Sequence, residues 1–130
     1  MAGKRQPELT EDAALEIALR DHPEYRRLWE RDELPDEIVG EDGQPASPRA
    51  HLHIHAVVER QLAADEPTGV AAIADELERL GAKPHDVRHE IGAVLARHMW
   101  YVTHEGCPFD ETRYLADLQE AVESRRGRTP

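Results

Sequence analysis

The sequence has one cysteine, few aromatic side chains and a deficit of positive charge. Cys107 is the only cysteine among 130 residues, which excludes an internal disulfide and a thiolate metal cluster. The chain has 16 lysine and arginine residues against 27 aspartate and glutamate residues, so its formal net charge is −11. Because phosphate contacts need a basic surface, this composition argues against nucleic-acid binding and against an anionic membrane surface.

Long apolar runs are also missing. No run approaches the roughly 20 apolar residues that cross a bilayer, and the first residues lack the apolar segment of a signal peptide. We therefore expect a cytoplasmic protein with no membrane partner. The chain length predicts one domain over residues 1–130, with flexible ends at 1–9 and 125–130.

The local signals predict an all-α fold. Thr10 and Pro23 mark the starts of one or two short N-terminal helices. Glycines, prolines and a dense run of acids then predict an acidic connector at residues 32–47. A four-helix core follows from residue 48 onward, with Ser47 and Thr68 as caps of its first two helices. The predicted core helices cover about 48–64, 69–80, 84–104 and 110–123.

Four of the eight histidines form two His-x3-His pairs, His51 with His55 and His85 with His89. A projection at 100° per residue places His51 and His55 within the apolar stripe of their helix and leaves His53 on its polar side. Residues i and i+4 lie one above the other on a helix, so each pair can reach one ion. Both pairs fall in the first two turns of helices expected to run in the same direction, so we expect them at one end of the bundle.

Four imidazoles at one level suit Zn²⁺ or another transition ion better than Mg²⁺ or Ca²⁺, which prefer oxygen ligands. The leading hypothesis is therefore a small zinc-type binding protein with His51, His55, His85 and His89 as ligands. Four protein ligands would close the site, as in structural zinc centres, whereas three would leave a position for water. The alternative is a metal-free protein–protein interaction module, in monomeric or homodimeric form, with a buried histidine cluster.

No catalytic constellation accompanies the histidines. Glu90 follows the second histidine of its pair, unlike the glutamate of zinc proteases, and Cys107 in its Gly-Cys-Pro turn is expected to be a bystander. His98 lies on an apolar helix face without an i±4 partner, which predicts a hydrogen-bonded core histidine. An enzymatic function is not indicated.

Several short motifs occur along the chain, namely His22-Pro-Glu-Tyr25, Ser47-Pro-Arg-Ala-His-Leu-His-Ile-His55, Gln61-Leu62, His85-Asp-Val-Arg-His89 and Gly106-Cys-Pro-Phe-Asp110. Together they resemble a small bacterial family known only as a domain of unknown function. The resemblance covers about residues 20–120 and implies a helical fold without implying an activity. It matches the family's recurrent histidines at His22, His51, His55, His85 and His89, so it adds His22 to the four residues of the two pairs.

Overall fold

Helices make up most of the computed structural model, which describes residues 9–39 and 43–128. Within those ranges the helices are α1 (Glu11–Asp21), α2 (Pro23–Glu30), α3 (Pro48–Ala64), α4 (Val70–Arg79), α5 (Pro84–Glu105) and α6 (Glu111–Arg128). The predicted all-α class is confirmed. The predictions for residues 1–8, 40–42 and 129–130 lie outside the described residues.

The connector contains the one element that the sequence did not predict. Strands β1 (Ile38–Val39) and β2 (Pro45–Ala46) pair antiparallel within it. Each strand has only two residues, which is too short for the alternating pattern that identifies a strand in a sequence.

Side-chain caps set most helix starts. The Thr10 hydroxyl accepts a hydrogen bond from the Ala13 amide, and the Ser47 hydroxyl accepts one from the Ala50 amide, both at 3.1 Å. The prediction that Thr68 caps α4 is wrong. Asp65 does so from further back, because its Oδ1 accepts hydrogen bonds from the amides of Gly69 and Ala71.

Helix α6 extends beyond its predicted end near Glu123 and reaches Arg128. Two ion pairs account for the extra turn. Arg125 donates to Glu90 of α5 at 2.9 Å, and Arg126 donates to Glu76 of α4 at 3.0 Å. These contacts attach the last turn of α6 to its two neighbours.

The helices enclose two apolar clusters that meet at α3. The larger cluster lies among α3, α4, α5 and α6 and includes the fully buried Val58, Leu77, Ile91 and Tyr114. The smaller one packs α1 and α2 against Leu52 of α3. Helix α3 therefore forms the boundary between the N-terminal helices and the four-helix core.

None of the described helices is both long enough and apolar enough to cross a membrane.

Candidate metal centre

Five histidines from three places in the fold come together beside α3. His22 lies between α1 and α2, His51 and His55 lie on α3, and His85 and His89 lie on α5. We call these five residues the histidine cluster. Neighbouring rings in it have centroid separations between 4.4 Å, for His85 and His89, and 6.0 Å, for His22 and His89. The structure thus brings the two His-x3-His pairs together at one end of α3 and α5.

Four members of the cluster can direct one nitrogen each to a common point. These nitrogens, from His22, His51, His55 and His89, all lie within 4.8 Å of one another. The Nε2 atoms of His22 and His51 lie 3.1 Å apart. Zn–N bonds of 2.0–2.1 Å in a tetrahedron require N···N separations of about 3.3 Å, so the widest pair must close by up to ~1.5 Å. Ion binding would therefore draw the four rings closer together.

A backbone hydrogen bond fixes the ring of His22. Its Nδ1 lies 2.8 Å from the carbonyl oxygen of Ala18, an acceptor, so Nδ1–H donates to it. In the neutral tautomer with Nδ1–H, Nε2 of His22 accepts a hydrogen bond from Nε2–H of His51, and that proton would have to leave Nε2 for His51 to coordinate an ion through it. Histidine ligands of metals commonly have this arrangement, with one nitrogen held by an outer acceptor and the other turned to the ion.

His55 is the most buried member of the cluster, with only 3% of its surface exposed. Its ring packs against the rings of His22, His51 and His89, and each of these three centroids lies 4.6 Å from its own. His55 is therefore the central ring of the cluster.

The surroundings keep the central imidazoles neutral. Burial, and after it the nearby His22, His89 and His85 in that order, together lower the pKa of His51 to about 4. Burial likewise lowers the pKa of His55 to about 3, again with the neighbouring histidines contributing. His51 also lies in the first turn of α3, where the helix dipole disfavours positive charge. At neutral pH these side chains are therefore in the unprotonated form that binds metals.

His85 differs from its predicted position. It is exposed, and its nitrogens lie outside the group of four, although its ring stacks on that of His55 with centroids 5.5 Å apart. His89 joins the group but is also exposed. Both residues occupy the first turns of α5, at its solvent-facing end. The helical projection correctly placed His85 and His89 on one face of α5. It could not show how much of the first turns of α5 is buried by the rest of the protein.

His22 is the member of the group that helical periodicity misses. It belongs to the interior of neither α1 nor α2, and it stands before Pro23 at the break between them. Only the family resemblance indicated it from sequence. The local feature that marks this position in the sequence is the His-Pro dipeptide at the break between the two helices.

The other described histidines have separate roles. His98 Nε2–H donates to Asp117 Oδ2 at 2.7 Å, and this hydrogen bond lowers the pKa of Asp117. The prediction of a hydrogen-bonded core histidine is thus confirmed. His53 is exposed and contacts Trp29, with ring centroids 6.4 Å apart. Cys107 is free and exposed, apart from the cluster.

Comparison with known proteins gives a family without an activity. The sequence model of the family described as "Domain of unknown function (DUF1841)" matches residues 3–120, which confirms the resemblance that the motifs indicated. No curated protein matches the chain, and no solved structure does.

Proposed function

We propose that this chain, which belongs to the DUF1841 family, binds one divalent transition-metal ion of the Zn²⁺ type in its histidine cluster. The observation that carries the proposal is the convergence of four ring nitrogens within 4.8 Å, from residues in α3, α5 and the α1–α2 break. The ligands are His22, His51, His55 and His89, and His85 lies beside them as a fifth imidazole. This set keeps three of the four ligands that the sequence predicts.

Chemistry supports a transition ion over a hard cation. All four donors are imidazole nitrogens, which suit Zn²⁺, Cu²⁺, Ni²⁺ and Fe²⁺, whereas Mg²⁺ and Ca²⁺ take oxygen ligands. Two further features favour an ion over a metal-free polar cluster. His22 has its outer nitrogen held by Ala18, and His55 is buried at the centre of the cluster, with three imidazole rings 4.6 Å away.

Metal content tests the proposal directly. The protein is purified without a histidine tag, stripped with a chelator, incubated with Zn²⁺ and passed through a desalting column before elemental analysis. We expect one equivalent of zinc for the wild type and loss of that zinc in His55→Ala. His53→Ala is the matched control, because His53 lies on the same helix, two residues away, but faces Trp29.

A second variant covers the case in which His55→Ala does not fold. His89 is exposed, so His89→Ala removes a ligand with little change in packing. Zinc should also raise the unfolding midpoint of the wild type, because a ligand that binds only the folded state stabilises it. Wild-type protein without bound zinc and with the same midpoint in its presence would overturn the proposal and favour the metal-free interaction module.

A further inference from the structure

A groove between α3 and α5 leads to the proposed ion. Three of the four ligands, His51, His55 and His89, line it, and its volume is about 330 Å³. Most of the remaining wall is made of small side chains. We call this space the alanine groove, and its small residues are Ala46, Ala50, Gly92, Ala93 and Ala96.

The helices themselves create this space. Gly92 lies so close to α3 that an added Cβ would stand 3.1 Å from Cγ2 of Ile54. The alanines beside it leave room where larger side chains would meet. The groove therefore combines a close helix contact with a cavity at the lower end of the volumes that small-molecule sites have.

The charge around the ion is unbalanced. The group of four contains only imidazoles and no carboxylate, so a divalent ion bound by it would keep a net charge of +2. The described residues that line the groove likewise include no aspartate or glutamate. Arg88 does line the groove, but it is engaged with a residue outside the groove lining, because it donates to Glu59 at 2.7 Å. A half-buried cation with no carboxylate among its ligands is unfavourable, so an anion at the ion would lower the free energy of the site.

We infer that the ion binds a small monocarboxylate with a short apolar tail, which enters through the alanine groove. The inference rests on the proposed function. One carboxylate oxygen coordinates the ion as an added ligand and offsets its charge, and the tail packs against the alanines. The site is then a centre that binds an external ligand and not a closed structural one.

Cobalt-loaded protein gives a direct readout. Co²⁺ takes the place of Zn²⁺, and its visible absorption responds to coordination number and to the ligands. We expect added butyrate to change the cobalt spectrum until the change saturates. Azide, a small anion without an apolar tail, should also change the spectrum and should compete with butyrate for the ion.

A groove-filling variant shows where the carboxylate enters. Ala93→Leu narrows the groove at an exposed wall position, so it should retain one equivalent of cobalt but need about tenfold more butyrate for the half-maximal change. Ala63→Leu is the matched control, since Ala63 is an exposed alanine of α3 outside the groove. This control should respond to butyrate as the wild type does.

The outcomes separate the two proposals. One equivalent of cobalt with a spectrum that neither anion changes would overturn this inference and leave the proposed function standing. A response to azide alone, or an equal butyrate response in Ala93→Leu and wild type, would overturn the carboxylate and its route. Failure of the wild type to bind cobalt or zinc would overturn the proposed function and this inference with it.

Discussion

At the scale of single residues, hydrogen bonds decide what each histidine can do. His22 gives its Nδ1 proton to the Ala18 carbonyl and keeps Nε2 for the cluster. His98 gives its Nε2 proton to Asp117 and thereby joins α5 to α6. The same side chain thus serves as a metal ligand candidate in one place and as a core hydrogen bond in another, and the difference lies in which nitrogen is engaged.

The low pKa values of His51 and His55 predict acid sensitivity of the metal-free protein. Folded, these residues have pKa values of about 4 and about 3, against 6.5 for an ordinary histidine. Below pH 6.5 the unfolded chain therefore binds more protons than the folded one, so the folded state loses stability as the pH falls. We expect the denaturation midpoint of the chelator-treated protein to be lower at pH 5 than at pH 7.5.

A comparison of variants isolates this effect from the many carboxylates. His55→Gln should show a smaller drop in midpoint between pH 7.5 and pH 5 than the wild type, because one of the two shifted groups is gone. His53→Gln should keep the full drop, since His53 is exposed. Equal drops in wild type and His55→Gln would contradict the assignment.

At the scale of helices, the cap that Asp65 supplies to α4 predicts a loss of stability when its side chain is removed. Asp65 has a left-handed backbone, with φ at 51°, and its side chain holds the first turn of α4 through Gly69 and Ala71. Asp65→Ala should lower the free energy of unfolding by about 1–2 kcal/mol, through loss of the cap and a less favourable backbone. Urea denaturation measures this.

Asparagine is the appropriate control at this position. It tolerates the left-handed conformation and keeps an oxygen acceptor, so Asp65→Asn should retain most of the stability. If Asp65→Ala were as stable as Asp65→Asn, the cap would contribute nothing.

The helices were predictable where their signals are local. Ser47 with Pro48 marks the start of α3, and Gly106, in the left-handed conformation, marks the end of α5. Two predictions at helix ends were wrong, the capping residue of α4 and the end of α6, because their causes are not local. Asp65 caps α4 from several residues back, and the last turn of α6 depends on Glu76 and Glu90, which are distant in sequence.

At the scale of the whole molecule, the histidine cluster joins two apolar clusters. His22 belongs to the N-terminal helices, whereas His89 belongs to the four-helix core. An ion held by both connects these parts directly. We expect zinc to slow amide hydrogen exchange in α1 and α2 more than in α6, whose ion pairs with α5 and α4 use Glu90 and Glu76 and not a histidine of the cluster.

His22→Ala is the variant that tests this connection. It should remove the effect of zinc on exchange in α1 and α2, while His53→Ala should leave that effect intact. Exchange that slows by the same factor in α1, α2 and α6 would mean that the ion stabilises the fold generally and does not join its two parts.

Sequence reasoning reached most of the candidate site but not all of it. Helical periodicity predicted that His51 and His55 face inward, and it could do so because α3 is a regular amphipathic helix. It placed His85 and His89 on one face but could not show that the first turns of α5 are exposed. It had no means of placing His22, because the position of a residue between two helices depends on how those helices pack.

Anomalous diffraction at the zinc absorption edge, from crystals of the zinc-loaded protein, tests the central claim most directly. The account predicts one strong peak, about 2.0–2.1 Å from one ring nitrogen each of His22, His51, His55 and His89. A map with no peak among these four rings, or with zinc bound at another place only, would contradict it.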